Sequence, residues 1–228
     1  PIYASKRWYD LYPLETLKLP ETISVDREDL PKISKQLTLN PTAPRHDWMV
    51  ESGEWKHAVQ AYLAANSFVD EMVGMILDSV QKSDAADNTI IILWSDHGFH
   101  LGEKLRWGKR TLWEETTRVP LIFAGPGIVT DQQCSRPVGL LDVFPTLLHL
   151  AQLPKRTDLE GQSLKQLLEN PKSKWNRPAL CTFGPNNHSL RGNRYRYTHY
   201  ADGSEELYDH ENDPNEWNNL ITGQTTAF

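Results

Sequence analysis

Thr89-Ile90-Ile91-Ile92-Leu93-Trp94-Ser95-Asp96-His97-Gly98 is an apolar, largely β-branched run that breaks at once into a carboxylate, an imidazole and a glycine. Such a run predicts a strand covered on both faces, of the kind found in the middle of a parallel sheet. Open α/β sheets place ligands just beyond the carboxyl ends of such strands, which is where Asp96 and His97 fall. The same residues also fit a strand closed by a tight turn, with His97 merely at the surface. The next segment favours a site. From Glu103 to Arg110 the chain carries Lys104, Arg106, Lys109 and Arg110 against the single acid Glu103, within a protein of net charge −6. A cationic loop beside a carboxylate able to bind metal suits an anionic group such as sulfate or phosphate, because cations neutralise charge on its oxygens.

Outward from this junction the organisation is legible in coarse terms. Upstream, Ala58, Tyr62, Ala65, Val69, Met72, Ile76 and Val80 recur every three or four positions, which predicts an amphipathic helix over Trp55 to Val80 covering one face of the sheet. Residues 1–54 hold Pro13, Pro20, Pro31, Pro41 and Pro44 with little periodicity and predict an irregular surface excursion. Downstream, Val119 to Ala124 predicts a second strand stopped by Gly125-Pro126-Gly127, and Leu140 to Leu153 a helix with Asp142 as cap and Pro145 tolerated in its first turn. Strands flanking helical segments imply a mostly parallel α/β layer fold over residues 1–154. Beyond Pro154 the pattern changes. Arg194-Tyr195-Arg196-Tyr197-Thr198-His199-Tyr200 alternates, Asp202-Gly203 marks a hairpin turn and Glu206-Leu207-Tyr208 returns, so residues 155–228 are expected to form a small antiparallel α+β subdomain.

Composition narrows the classes. The chain has 228 residues, 39 % apolar and 24 % charged, which is neither disordered nor membrane-like. No apolar run approaches bilayer length, so no membrane span is expected, and Pro1 onward lacks a signal-peptide pattern. The acidic balance and the absence of a basic face speak against nucleic acid as a partner. Two cysteines, Cys134 and Cys181, define no disulfide framework. Asn187-His188-Ser189 is a formal glycosylation sequon.

Ser95-Asp96-His97-Gly98, Leu101-Gly102-Glu103, Trp107, Lys109 and Arg118-Val119-Pro120-Leu121-Ile122-Phe123 together resemble the second signature region of the sulfatases, within the alkaline-phosphatase superfamily. The form with His after Asp is most similar to the iduronate-2-sulfatase group and its bacterial relatives. Leu141-Asp142-Val143-Phe144-Pro145-Thr146-Leu147-Leu148, and Glu206-Leu207-Tyr208-Asp209 running to Asp213-Pro214-Asn215-Glu216 and Asn219-Leu220, are similar to the family's C-terminal segments. The resemblance implies an incomplete alkaline-phosphatase-like fold with helices sandwiching the sheet. It also implies a sulfuric ester hydrolase acting on a sulfated sugar or polysaccharide, assisted by Ca2+ or another divalent cation. By matching position Asp96 and His97 are the expected metal ligands. Lys109 is the expected catalytic contact to a sulfate oxygen, with His97 as a second catalytic candidate. A hard cation prefers oxygen, so Asp96 is the better ligand, and His97 is alternatively a hydrogen-bonding group for the sulfate or the nucleophile. His100 and Arg191 are further substrate-binding candidates, although His100 also suits a loop contact and the alternation around Arg191 suits a half-exposed strand. Trp107 suits packing, and Glu114, Glu115 and Arg118 suit a structural ion-pair cluster.

One departure from the family is large. Its nucleophile, formylglycine, is made from Cys or Ser in C/S-x-P-S-R, and neither cysteine lies in that pattern; Cys134-Ser135-Arg136 lacks the proline and comes after the metal motif. The paired N-terminal aspartates and the His-x-Pro-His segment are also absent, and Pro1-Ile2-Tyr3-Ala4 resembles the residues immediately after that segment. The expectation is therefore the C-terminal part of a sulfatase whose nucleophile and remaining ligands come from an N-terminal half, its partner. The family implies a periplasmic, secreted or lysosomal location. A phosphatase or phosphodiesterase of the same superfamily, and a catalytically silent fragment, are the alternatives. The first would want more ligand-like histidines than His149, His188, His199 and His210 provide.

Overall fold

The computed structural model describes residues 2–39 and 43–221. Pro1, Pro41 and the last seven residues of the expected C-terminal subdomain lie outside them. In chain order the elements are α1 (Lys6–Tyr9), α2 (Lys32–Leu37), α3 (His46–Glu51), α4 (Trp55–Gln81), β1 (Ile91–Trp94), β2 (His100–Leu101), β3 (Trp107–Gly108), α5 (Glu114–Thr117), β4 (Leu121–Ala124), α6 (Val143–Leu150), α7 (Lys165–Glu169), β5 (Ala179–Thr182), β6 (His188–Arg191), β7 (Tyr195–His199) and β8 (Glu205–Asp209). They belong to two compact units, one of residues 1–27, 40–89 and 99–109, the other of residues 28–39, 90–98 and 110–228.

The first unit is organised on α4, which runs one residue beyond the predicted end. Its inward residue Val59 packs with Met49 of α3 and Trp107 of β3, and Leu17, Leu19, Trp55, Phe99 and Leu101 close around them. Trp107 thus has the packing role that its size favours. The Trp55 indole donates to the Leu101 carbonyl at 2.7 Å, which fastens the β2 strand to the helix. Gly102 makes this possible: at φ +133° it adopts a backbone that L residues avoid, and a Cβ there would lie 2.7 Å from the Trp55 ring. Among the expected cationic residues, Lys104 is not available to solvent. Its ammonium lies 2.7 Å from Asp26 Oδ1, with both side chains buried.

In the second unit β1 pairs with β4 antiparallel, Ile92 opposite Phe123 and Trp94 opposite Leu121. A parallel pairing was expected from the two apolar runs. Parallel neighbours are usually joined by a crossover helix packed on the pair; the connection from β1 to β4 holds no helix longer than the four-residue α5. Leu93 and Trp94 are 40 % and 50 % exposed, so a strand composed for burial is uncovered on part of its surface.

The C-terminal region bears out the alternation. Strands β5 to β8 form one antiparallel sheet in sequence order, and β7 and β8 join through Asp202-Gly203 with Gly203 at φ +84°. β5 was not anticipated from sequence, whereas β6 ends at Arg191, around which a half-exposed strand was expected. Asn187, the sequon residue, is buried: its amide donates to the Phe183 and Pro185 carbonyls at 3.0 Å and its oxygen accepts from Ala201 N, leaving no accessible amide for a glycan. α6 starts three residues later than expected, after a 3₁₀ turn over Leu140–Asp142; Asp142 accepts from Gly139 N at 3.0 Å and from Gln162 N at 2.7 Å. Glu206 is buried where three donors meet it, Trp113 Nε1 and Tyr200 OH at 2.9 Å and Tyr208 OH at 3.0 Å.

Removing one member of a buried ion pair leaves the other charge desolvated and unmatched. Asp26→Ala is therefore expected to cost about 3–5 kcal/mol in urea denaturation, and Asp26→Ala/Lys104→Met substantially less; equal losses in both would show that the pair's charge is not what matters.

Candidate active site

The chain leaves β1 at Trp94 and turns through Ser95, Asp96, His97 and Gly98. Two hydrogen bonds within this turn set the imidazole. Ser95 Oγ donates to the His97 carbonyl at 2.8 Å, and His97 Nδ1 lies 2.8 Å from the Gly98 carbonyl. A carbonyl only accepts, so Nδ1 carries the proton and, in the neutral ring, the lone pair is on Nε2. Nε2 is 3.5 Å from Asp96 Oδ1, whose side chain is 80 % exposed against 33 % for His97. A carboxylate and a nitrogen lone pair thus stand side by side at the end of a strand.

Gly98 anchors the turn. Its N–H donates to the Thr116 carbonyl at 2.9 Å, and a Cβ on it would lie 2.0 Å from the Glu115 carbonyl oxygen. No side chain fits there without moving backbone. The sequence offered the glycine but not the reason for it.

The other expected residues are placed as follows. Lys109 is an exposed residue of the first unit, at the end of a loop in which Lys104 and Leu105 take positive φ (55° and 50°), and its carbonyl accepts from Arg106 NH2 at 3.3 Å. Arg106 is buried, and burial together with the neighbouring Arg27 charge lowers its guanidinium to about 10. His100 is fully buried in β2 opposite Gly108, so its ring meets no solvent and packs within the loop. Arg191 spends its guanidinium on Glu114 Oε2 at 3.3 Å and on the Gly192 carbonyl.

Sequence reasoning missed the densest charge cluster. Glu114, His210 and Glu216 bring ligand-type atoms within 4.8 Å of one another, the geometry of a metal site. Arg196 already stands among them: it bonds Glu114, and its Nε lies 2.5 Å from Glu216 Oε1, while His210 Nε2 is 2.8 Å from the same oxygen. Two carboxylates face two guanidiniums, Arg196 and Arg191, so the cluster is balanced and offers a dication no net attraction. Burial alone would raise Glu216, but Arg196, His210 and the Glu114 amide outweigh it and bring the carboxyl down to about 2. The ion-pair role expected for Glu114 holds, with Arg118 only 3.8 Å away on its exposed side. Spacing could not have revealed it, since its members lie up to 102 residues apart.

The sulfatase family profile matches residues 1–153, and that of the N-sulphoglucosamine sulphohydrolase C-terminal region matches residues 102–227. The chain belongs to the sulfatase family. It is 43 % identical over 96 % of its length to a sulfatase of Formosa agariphila, covering 43 % of that protein. It is 32 % identical over 77 % of its length to a Δ4,5-hexuronate-2-O-sulfatase of Bacteroides thetaiotaomicron, covering 40 % of it. Among solved structures, a 2-O GAG sulfatase superposes with TM-score 0.75 at 28 % identity over 92 % of this chain and 48 % of that one. A phosphonate monoester hydrolase from Silicibacter pomeroyi gives TM-score 0.81 at 22 % identity over 99 % of this chain and 50 % of that one, a likeness of fold. This sulfatase chain therefore has the alkaline-phosphatase-like α/β architecture in incomplete form, and spans about two-fifths of the length of the curated relatives it matches.

The donors in the β1 turn fit a hard cation in kind but not in number. Ca2+ takes six to eight oxygens, and among the described residues no further acidic side chain joins Asp96 in a ligand cluster.

Gly98→Ala is expected to destabilise the protein by at least about 2 kcal/mol, a Tm loss of about 4–8 °C for a chain of this size. A Tm within a degree of the parent would show that the Gly98 to Glu115 contact is not tight. Because the Glu216 carboxyl is depressed from its ordinary 4.5 to about 2, its stabilisation is complete above the unfolded value and is lost as pH falls from about 4.5 toward 2. The acid-side loss of Tm should accordingly be shallower in Glu216→Gln than in the parent.

Proposed function

We propose that the complete protein is a sulfuric ester hydrolase that acts on a sulfated sugar or polysaccharide. Asp96 and His97 belong to its divalent-cation site, and a formylglycine nucleophile comes from residues outside this chain. The observation that carries the reading is the β1 turn: in a chain of the sulfatase family, an exposed carboxylate and a carbonyl-locked imidazole stand at a strand's end. The relatives named for sugar sulfates support the substrate class. Sulfuric esters are preferred over phosphoric ones because the likeness to a phosphonate monoester hydrolase concerns fold alone.

The roles follow from the groups. The Asp96 oxygens, largely in solvent, are the natural hard-cation donors, and Ca2+ is the divalent cation they suit best. Such a cation, when bound, withdraws charge from the ester's oxygens. The Gly98 carbonyl keeps the proton on His97 Nδ1, so Nε2 can ligate or accept a hydrogen bond. Lys109 offers its ammonium to a sulfate oxygen, where charge builds as the ester bond breaks. His100 and Arg191 act behind these groups, one by packing the loop and the other by holding Glu114.

With no C/S-x-P-S-R in its 228 residues, this chain is proposed to be silent by itself. Residues 1–154 are read as the later part of the α/β domain and 155–228 as its antiparallel subdomain. The exposed apolar side chains of Leu93, Trp94 and Ile122 support an N-terminal half of the same enzyme as their cover. No helix among the described residues is long and apolar enough to cross a membrane, and a periplasmic, secreted or lysosomal site of action is proposed from the family.

In the complete enzyme, Asp96→Ala should abolish chelator-sensitive hydrolysis of an aryl sulfate, and Lys109→Ala should lower kcat/KM by about 10²–10³. Faster turnover of the matched aryl phosphate, or normal turnover by Asp96→Ala, would defeat this reading.

A further inference from the structure

The first unit carries an open groove of about 570 Å³ formed by α1, α3 and the start of α4, none of whose side chains takes part in the proposed chemistry. Met49 is its buried floor. On the rim, the Trp48 indole is 53 % exposed, although burying an aromatic ring of this size is strongly favourable. Tyr9 is half-buried beside it, with its hydroxyl bonded to no described residue. The Glu54 carboxylate and the His57 imidazole are exposed and likewise have no partner among the described residues. Gln60 donates its amide to the Tyr9 and Tyr12 carbonyls, which fixes its rotamer and leaves its oxygen as a further acceptor.

We propose that this groove binds a pyranose ring of a glycan, stacked on Trp48 and held through its hydroxyls by Glu54, His57 and Gln60. This rests on the carbohydrate reading above only for its choice of ligand. A sugar ring has an apolar face of C–H groups and an equatorial belt of hydroxyls. It therefore needs an aromatic plane bordered by a few convergent acceptors and donors, which is what the groove supplies. The volume is in the range of small-molecule sites and admits one or two rings.

Charge decides which ring. Among the groove's lining residues Glu54 is the one acid and no Lys or Arg occurs, so a sulfate or carboxylate would be repelled. Lys109, in the same unit, has the opposite character, exposed and cationic. The groove thus suits an unsulfated residue of the chain, while Lys109 suits the sulfated one. Met49, the groove's floor, packs in the same cluster as Trp107, two residues before Lys109, so both features are built on one core.

The test is direct binding to the 228-residue chain, read by the indole N–H resonance of Trp48, assigned with Trp48→Phe, during titration with an unsulfated, uncharged N-acetylglucosamine disaccharide and its 6-O-sulfated form. Saturable movement of the Trp48 resonance is expected, with at least threefold weaker binding of the sulfated disaccharide. The movement and the binding should be lost in Trp48→Ala, and Glu54→Gln should narrow the discrimination between the two sugars. No movement of Trp48, or equal binding by Trp48→Ala, overturns the proposal, as does tighter binding of the sulfated form. Circular dichroism of each variant separates loss of the groove from loss of fold, since Trp48 and Glu54 are exposed. Because no turnover is measured, failure here leaves the hydrolase reading intact, and failure of the aryl sulfate assay leaves the groove intact.

Discussion

A backbone contact too close for any side chain fixes the candidate site. With Gly98 N–H on the Thr116 carbonyl and its Cα against Glu115, the turn that bears Asp96 and His97 is held by α5 as well as by its own Ser95 and His97 side chains. α5 is four residues long and could not persist alone. It is held in turn by Glu216, which accepts from the Glu114 amide at 2.9 Å, and by the two arginines that meet Glu114. The position of an exposed carboxylate is thus traceable to a buried ion cluster on the C-terminal sheet, within one unit.

That cluster shows why ligand-type atoms in proximity do not define a metal site. Distances among Glu114, His210 and Glu216 would admit a cation. What excludes one is Arg196, whose planar fork already satisfies both carboxylates and restores neutrality. Asp96 is the inverse case: among the described residues its one ion-pair partner is the adjacent imidazole, and its side chain is mostly in water. A carboxylate consumed by an arginine stabilises a fold, whereas one left in solvent at a strand end keeps its oxygens for a ligand.

The residues disclosed unequally what they do. The α4 helix, the β1 and β4 strands and the β7–β8 hairpin were legible because each is a local pattern of period 3.6 or 2 that tertiary contacts reinforce. The antiparallel pairing of β1 with β4 was not, since an apolar run predicts a strand but not which way its neighbour runs. β5 was hidden by the brevity of Ala179–Thr182, four residues, and β6, of the same length, showed only as alternation around Arg191. Of the candidate residues, Asp96, His97 and Lys109 were singled out by short motifs, whereas the burial of His100, the engagement of Arg191 and the burial of Lys104 against Asp26 are outcomes of packing. A run of basic residues states only formal charge. How much of that charge faces a ligand depends on which side chains the fold has already paired.

The same distinction bears on the cationic loop. Lys104 is neutralised by Asp26, and Arg106 holds its proton less firmly than usual, chiefly because it is buried and also because Arg27 lies close. The residues of the loop that face solvent are Lys109 and Arg110, and Arg110 reaches that position with φ +71°. Local backbone geometry accompanies the two outward charges: Lys104, Leu105, Gly108 and Arg110 take positive φ within seven residues, a sharply folded path that buries Arg106 and Trp107 and then brings Lys109 and Arg110 to the surface. A loop folded this tightly has little backbone entropy left to lose, so little of the attraction between an outward-facing cation and an anion would be spent on ordering the backbone that presents it.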